Sequence, residues 1–97
     1  MAAVKIRWTR LAVEDLNLAY EYIAAENPST APAVIARIES AVNVLRAHPE
    51  IGRSGRVEGT RELIISGTPF IVAYRIARNR VEILAVIHGA RRWPESF

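Results

Sequence analysis

The side chains best suited to chemistry gather in the second half of the chain: Arg61, Arg75, His88, Arg91 and Arg92, with Trp93 beside the last pair. A guanidinium presents a planar fork of donors that matches phosphate and carboxylate oxygens. An imidazole near it gives or takes a proton close to neutral pH. Cleaving RNA through its 2′-hydroxyl needs a base, an acid, and cations that hold the charge building on the phosphate. His88 is the candidate acid or base here, with Arg75 and Arg61 as candidate phosphate holders. A structural reading stands beside the chemical one. Arginines on a sheet more often make surface ion pairs, and a single histidine at a strand end serves equally well as a structural or capping group. Trp93 can stack on a base or pack against the edge of the domain.

Other chemistries lack their residues. There is no cysteine, so neither a disulfide framework nor a thiolate metal site exists. His48 and His88 are the only histidines and Asp15 the only aspartate, too few for a metal-ligand pattern, and no glycine-rich phosphate loop or nucleophile elbow occurs. No cofactor or metal is expected. The 97 residues suit a single domain spanning 1–97, and 51% apolar against 24% charged residues is a folded composition. No apolar run approaches the roughly 18 residues of a membrane span, and the N-terminus has no leader-like apolar region, so a cytoplasmic protein is expected. Net charge is +3, unevenly placed: residues 1–52 balance to −1, residues 53–92 to +5. Only Lys5 among the 13 basic residues is a lysine.

The elements that must position these groups follow from periodicity. Val4, Ile6 and Trp8 alternate with Lys5 and Arg7, which predicts a short strand. Thr9 can cap a helix carrying Ala12, Leu16, Ala19 and Ile23 on one face, with Glu14 and Asp15 near its positive end. Pro28 ends that helix near Asn27. Ser29 or Thr30 caps a second helix, with Pro32 in its first turn and an apolar stripe of Val34, Ile35, Ile38, Ala41, Val42 and Leu45, stopping at His48-Pro49. The brief link predicts an antiparallel helical hairpin. Pro49 to Thr60 reads as a glycine-punctuated loop. Three strands follow, Arg61–Ile65, Phe70–Ala77 and Val81–Ile87, joined by turns at Ser66–Pro69 and Arg78–Arg80, which predicts an antiparallel meander. The fold expected is α+β, in the order β-α-α-β-β-β.

Strict alternation then assigns the sheet faces. Phe70, Val72, Tyr74 and Ile76, with Val81, Ile83, Ala85 and Ile87, form the expected core side. Ile71, Ala73 and Arg75, with Glu82, Leu84, Val86 and His88, form the other side. That second set is apolar for a wetted face, and it carries Arg75 and His88. It is therefore the expected docking surface for a partner, unless a terminal segment or second copy covers it.

Three segments carry a family resemblance: "HPEIGR", "GTRELIISGTPFIVAYRI" and "RVEILAVIHGARRWP". They resemble the ParE branch of the RelE/ParE toxin superfamily, and the likeness extends over nearly the whole chain. It implies a growth-inhibiting toxin of a type II toxin–antitoxin module, of the kind used in plasmid stabilisation, with a helical hairpin packed on a mainly antiparallel sheet. It also implies a cognate antitoxin whose acidic or amphipathic C-terminal segment wraps the toxin in a hetero-oligomer. ParE-like members poison DNA gyrase by protein–protein contact. RelE-like members cut messenger RNA on the ribosome, and Arg61, Arg75 and His88 can be placed on that pattern. The chain departs from it in lacking a lysine-rich surface and a tyrosine near the C-terminus, since Tyr20, Tyr22 and Tyr74 all lie upstream. The resemblance thus implies a gyrase inhibitor first and a ribosome-dependent mRNA endonuclease second. A toxin without activity, kept as a binding partner, is a third alternative. Under the first, Ile71, Arg75, Leu84, Val86, His88, Arg91, Arg92 and Trp93 supply the target or antitoxin surface.

Overall fold

A computed structural model describes residues 3–90 and 93–97. Among these, β1 (Lys5–Trp8) leads into α1 (Arg10–Glu26) and α2 (Ala31–Val44), followed by β2 (Arg53–Ser54), β3 (Arg61–Ile64), β4 (Phe70–Ala77) and β5 (Arg80–His88). The α+β class, the helical hairpin and the meander are as the sequence predicts. The addition is β2, inside the expected loop, where Arg53 and Ser54 pair with Glu62 and Arg61. Two residues are too short a run for any periodicity to register.

The strand order is β1-β5-β4-β3-β2. Neighbours are antiparallel except β1 and β5, which run parallel. A parallel pair requires a crossover, and everything from α1 to β4 lies between these two strands in the chain. Thr9 fixes where α1 leaves β1. Its hydroxyl oxygen accepts from the Ala12 amide at 3.2 Å and its O–H donates to the Ile83 carbonyl at 2.7 Å. One side chain thus caps the helix and ties it to β5. At α2 the expected cap behaves differently: the Thr30 hydroxyl donates back to the Asn27 carbonyl at 3.1 Å and closes the interhelical turn.

Ala12, Ala19, Ile38, Val42 and Leu45 from the helical layer meet Phe70, Val72, Tyr74, Val81 and Ile83 from the sheet. At about 25 cal/mol per Å² of apolar surface removed from water, this layer is the main stabilising contribution. Ile76, expected in the core, is instead exposed near the β4–β5 turn.

The register of β4 on β5 changes the face assignment. Tyr74 pairs with Ile83 but Ala73 pairs with Ala85, so Leu84 is an extra residue in β5. Such a bulge moves every later side chain to the opposite face. Val86 therefore joins the helix-side core, while Ala85 and Ile87 turn to the outer face with Ala73. The bulge also frees backbone groups, and α1 supplies a partner: the Val86 amide donates to the Asp15 carboxylate at 3.0 Å.

Candidate functional site

Two surfaces carry Arg75 and His88, and they lie on opposite sides of the sheet. On the outer face, Arg7, Glu82 and Arg75 stand side by side on β1, β5 and β4 because register pairs them. Glu82 accepts from Arg75 at 2.6 Å and Arg7 at 3.2 Å, with Arg80 at 3.1 Å. A second carboxylate repeats the arrangement. Glu62 accepts from Arg53 at 2.8 Å and from the Arg56 amide at 2.8 Å. Glu62 and Glu82 are each only 2% exposed, and a carboxylate that deep needs this saturation with donors. Between the clusters, Trp93 packs on Ala73, Ala85 and Ile87, and the Arg56 guanidinium lies 4.0 Å from its ring centre.

The other surface is a groove of about 360 Å³ between α1, the end of β5 and the C-terminal tail. Leu11, Leu18 and Tyr22 line it from α1, Phe70 and His88 from the sheet, Pro94 and Phe97 from the tail. Leu11 and Leu18 are 51% and 61% exposed, an open apolar stripe beside the buried one. His88 sits at the groove end, edge-on to the rings of Tyr22 and Phe70, each centred 5.7 Å away. Its Nδ1 accepts the Ala90 amide at 3.2 Å.

These positions revise the expected site. Ile71, Leu84 and Val86 do not form a bare docking face, since they are only 9%, 7% and 6% exposed. The bulge carries Val86 into the core, and the outer apolar residues around Ala73 lie under Trp93. His88 does not share a face with Arg75, because the same bulge moves it to the helix side, where it pairs with Phe70. Arg61 joins neither; its guanidinium donates to the Glu50 and Gly52 carbonyls at 3.2 and 2.9 Å. Arg91 and Arg92 lie outside the described residues. Among the described residues no group of acidic or histidine side chains is arranged to hold a metal, and no helix is long and apolar enough to cross a membrane. Sequence reasoning missed Arg7, Arg53, Arg56, Arg80 and the stripe of Leu11, Leu18 and Tyr22. A signal for the stripe existed in the spacing of seven and four residues along α1.

The outer carboxylate makes stability depend on pH. The hydrogen bond from Arg75 is the largest influence on Glu82. With the charges of Arg75 and Arg80 and the bond from Arg7, it outweighs burial and holds the carboxyl below its ordinary value of 4.5. A folded value below the unfolded one contributes stability that is complete above 4.5 and disappears as pH falls through the folded value. Asp15 acts oppositely. Burial raises its value, more than the Val86 amide lowers it and with a further push from Glu14, so its contribution is present at low pH and lost as pH rises. Glu82→Gln isolates the first effect. Its urea midpoint is expected to lie below the wild type's at about pH 7, with the gap narrowing as pH falls below 4.5. A constant gap between the two proteins across that range would rule out the linkage.

Comparison with known proteins agrees with this architecture. Residues 6–93 match the family model of the ParE toxin of type II toxin–antitoxin systems, parDE. Y4kP of Sinorhizobium fredii is 43% identical over 95 residues, covering 98% of both chains. Toxin RelE2 of Caulobacter vibrioides is 31% identical over 87 residues, 90% of this chain and 97% of the relative. Among solved structures, a chain of the chromosomal ParDE system from P. aeruginosa superposes with a TM-score of 0.82 at 27% identity, covering 89% of this chain and 96% of that one. A chain of the RelBE2 toxin–antitoxin complex from Mycobacterium tuberculosis gives 0.62 at 30% identity, covering 94% and 97%.

Proposed function

Since the chain belongs to the ParE toxin family of type II toxin–antitoxin systems, we propose that it inhibits DNA gyrase in the cytoplasm by protein–protein contact and is silenced by a cognate antitoxin. The observation that carries this reading is the separation of the three groups a nuclease would have to converge. His88 lies on the helix side of the sheet, Arg75 is engaged by Glu82 on the outer side, and Arg61 is spent on backbone carbonyls. A base and its phosphate clamp must reach the same phosphate within hydrogen-bond range, and these do not. A toxin that acts by docking needs no such convergence.

The antitoxin reading is supported by the α1 groove. An amphipathic segment laid along it would bury Leu11, Leu18 and Phe97, which are otherwise exposed. That is the groove-binding mode of an apolar helix face. The related ParDE and RelBE2 structures are of toxin–antitoxin systems, and an antitoxin here follows the same plan.

Purified toxin added to gyrase is expected to stop supercoiling and trap cleaved DNA, with His88→Ala equally active. Unimpeded supercoiling at stoichiometric excess would defeat the proposal. A second reading, ribosome-dependent mRNA cleavage, draws on the likeness to Toxin RelE2. It requires codon-linked ends in primer extension that vanish in His88→Ala. A chain harmless in both assays and in unpartnered expression would instead be an inactive toxin.

A further inference from the structure

The outer face carries charge that lies outside the α1 groove proposed for the antitoxin. Arg7, Arg75 and Arg80 surround Glu82, and Arg53 and Arg56 surround Glu62. Five guanidiniums over two carboxylates leave three positive charges. The carboxylate side chains are 2–3% exposed, whereas the five arginine side chains are 51–61% exposed. Each carboxylate therefore grips its arginines from beneath and restricts their rotamers, while the remaining guanidinium edges face solvent. Ordering these side chains in advance lowers the entropy lost when they bind an anion.

We infer that this face docks on the backbone of duplex DNA, one guanidinium cluster to each phosphate strand. Spacing is the first argument. Glu82 pairs with Arg75 on β4 and Glu62 with Ala73, so the clusters lie two strands apart and two residues along. Sheet geometry makes that about 12 Å, comparable to the roughly 12 Å width of the B-DNA major groove between its phosphate strands. The face also lacks an open apolar stripe. Its apolar centre, Ala73, Ala85 and Ile87, lies under Trp93. Beside it Ile64 is 54% exposed, but one side chain is not the apolar stripe an amphipathic peptide needs, and exposed ion pairs alone add little to a protein contact. Duplex DNA gains instead from release of its condensed counterions. The bond types are also right, since guanidinium forks match phosphate oxygens.

The test is fluorescence anisotropy of a labelled 20-base-pair DNA duplex with the full chain, without gyrase, between about 50 and 200 mM salt. Neutralising about three phosphates predicts a log–log salt slope near −2.7, roughly a 40-fold loss of affinity over that range. Arg7→Gln with Arg80→Gln is expected to reduce the slope by about two, and the corresponding lysine pair to retain it. Circular dichroism checks that the variants fold. Should the double glutamine variant unfold, Arg53→Gln tests the other cluster and is expected to reduce the slope by about one. Absence of binding at 50 mM salt, or an unchanged slope in a folded glutamine variant, overturns the inference. So does tighter binding of an RNA duplex of the same sequence, or equal competition by polyglutamate. Because gyrase is absent, a negative result leaves the gyrase proposal intact, and failed gyrase inhibition leaves this one intact.

Discussion

Tyr74→Ala is expected to remove about 3–5 kcal/mol of unfolding free energy, the cost of deleting a buried aromatic side chain. Against a typical total of about 5–15 kcal/mol for a domain, such a loss leaves this chain marginally folded. Tyr74 is completely buried at the centre of β4. Its O–H donates to the Pro49 carbonyl at 2.7 Å and its oxygen accepts the Gly52 amide at 2.9 Å. Those two bonds bind the segment before β2 to the core, and with it Arg53 on the outer face. The approach is close enough to dictate the residue at 52: a Cβ there would lie 2.5 Å from the Tyr74 oxygen. Tyr74→Phe separates packing from hydrogen bonding. It keeps the ring and strands two backbone groups, at an expected cost of about 1–3 kcal/mol. Urea denaturation measures both variants. Coincident midpoints for Tyr74→Phe and the wild type would mean that the hydroxyl anchors nothing.

Leu18→Glu is expected to weaken the antitoxin complex at least about 100-fold without unfolding the toxin. Leu18 is 61% exposed in the free chain, so the fold does not depend on it. In the proposed complex it becomes central to the groove, where truncating an anchor costs roughly 2 kcal/mol or more and a buried carboxylate adds a desolvation penalty. Asp15 already lines that groove, so the new charge would also meet a like one. Isothermal titration with the cognate antitoxin reads the effect, and undiminished affinity would place the interface elsewhere. Leu84→Glu is a poor substitute for this experiment. At 7% exposure, Leu84 answers to the fold rather than to a partner.

The sequence by itself determined both helices, every strand except β2, and their order. Helices and strands declare themselves through periods of 3.6 and 2, and capping and turn residues such as Thr9 and Pro28 mark their ends. It also placed Arg75 and Glu82 on one face, because both precede the irregularity in β5 when counted from the β4–β5 turn. Tertiary structure decided everything beyond Leu84. A single unpaired residue reverses the alternation, and an almost wholly apolar run such as Leu84 to Ile87 reads equally well in either phase. That reversal parted His88 from Arg75 and carried Val86 into the core. Strand register likewise chose which arginines share Glu62 and Glu82, and folding of the tail put Trp93 over the apolar centre. Contacts of this kind join residues up to 75 positions apart. Local propensity has no access to them, because their energies exist only once the strands have been brought side by side.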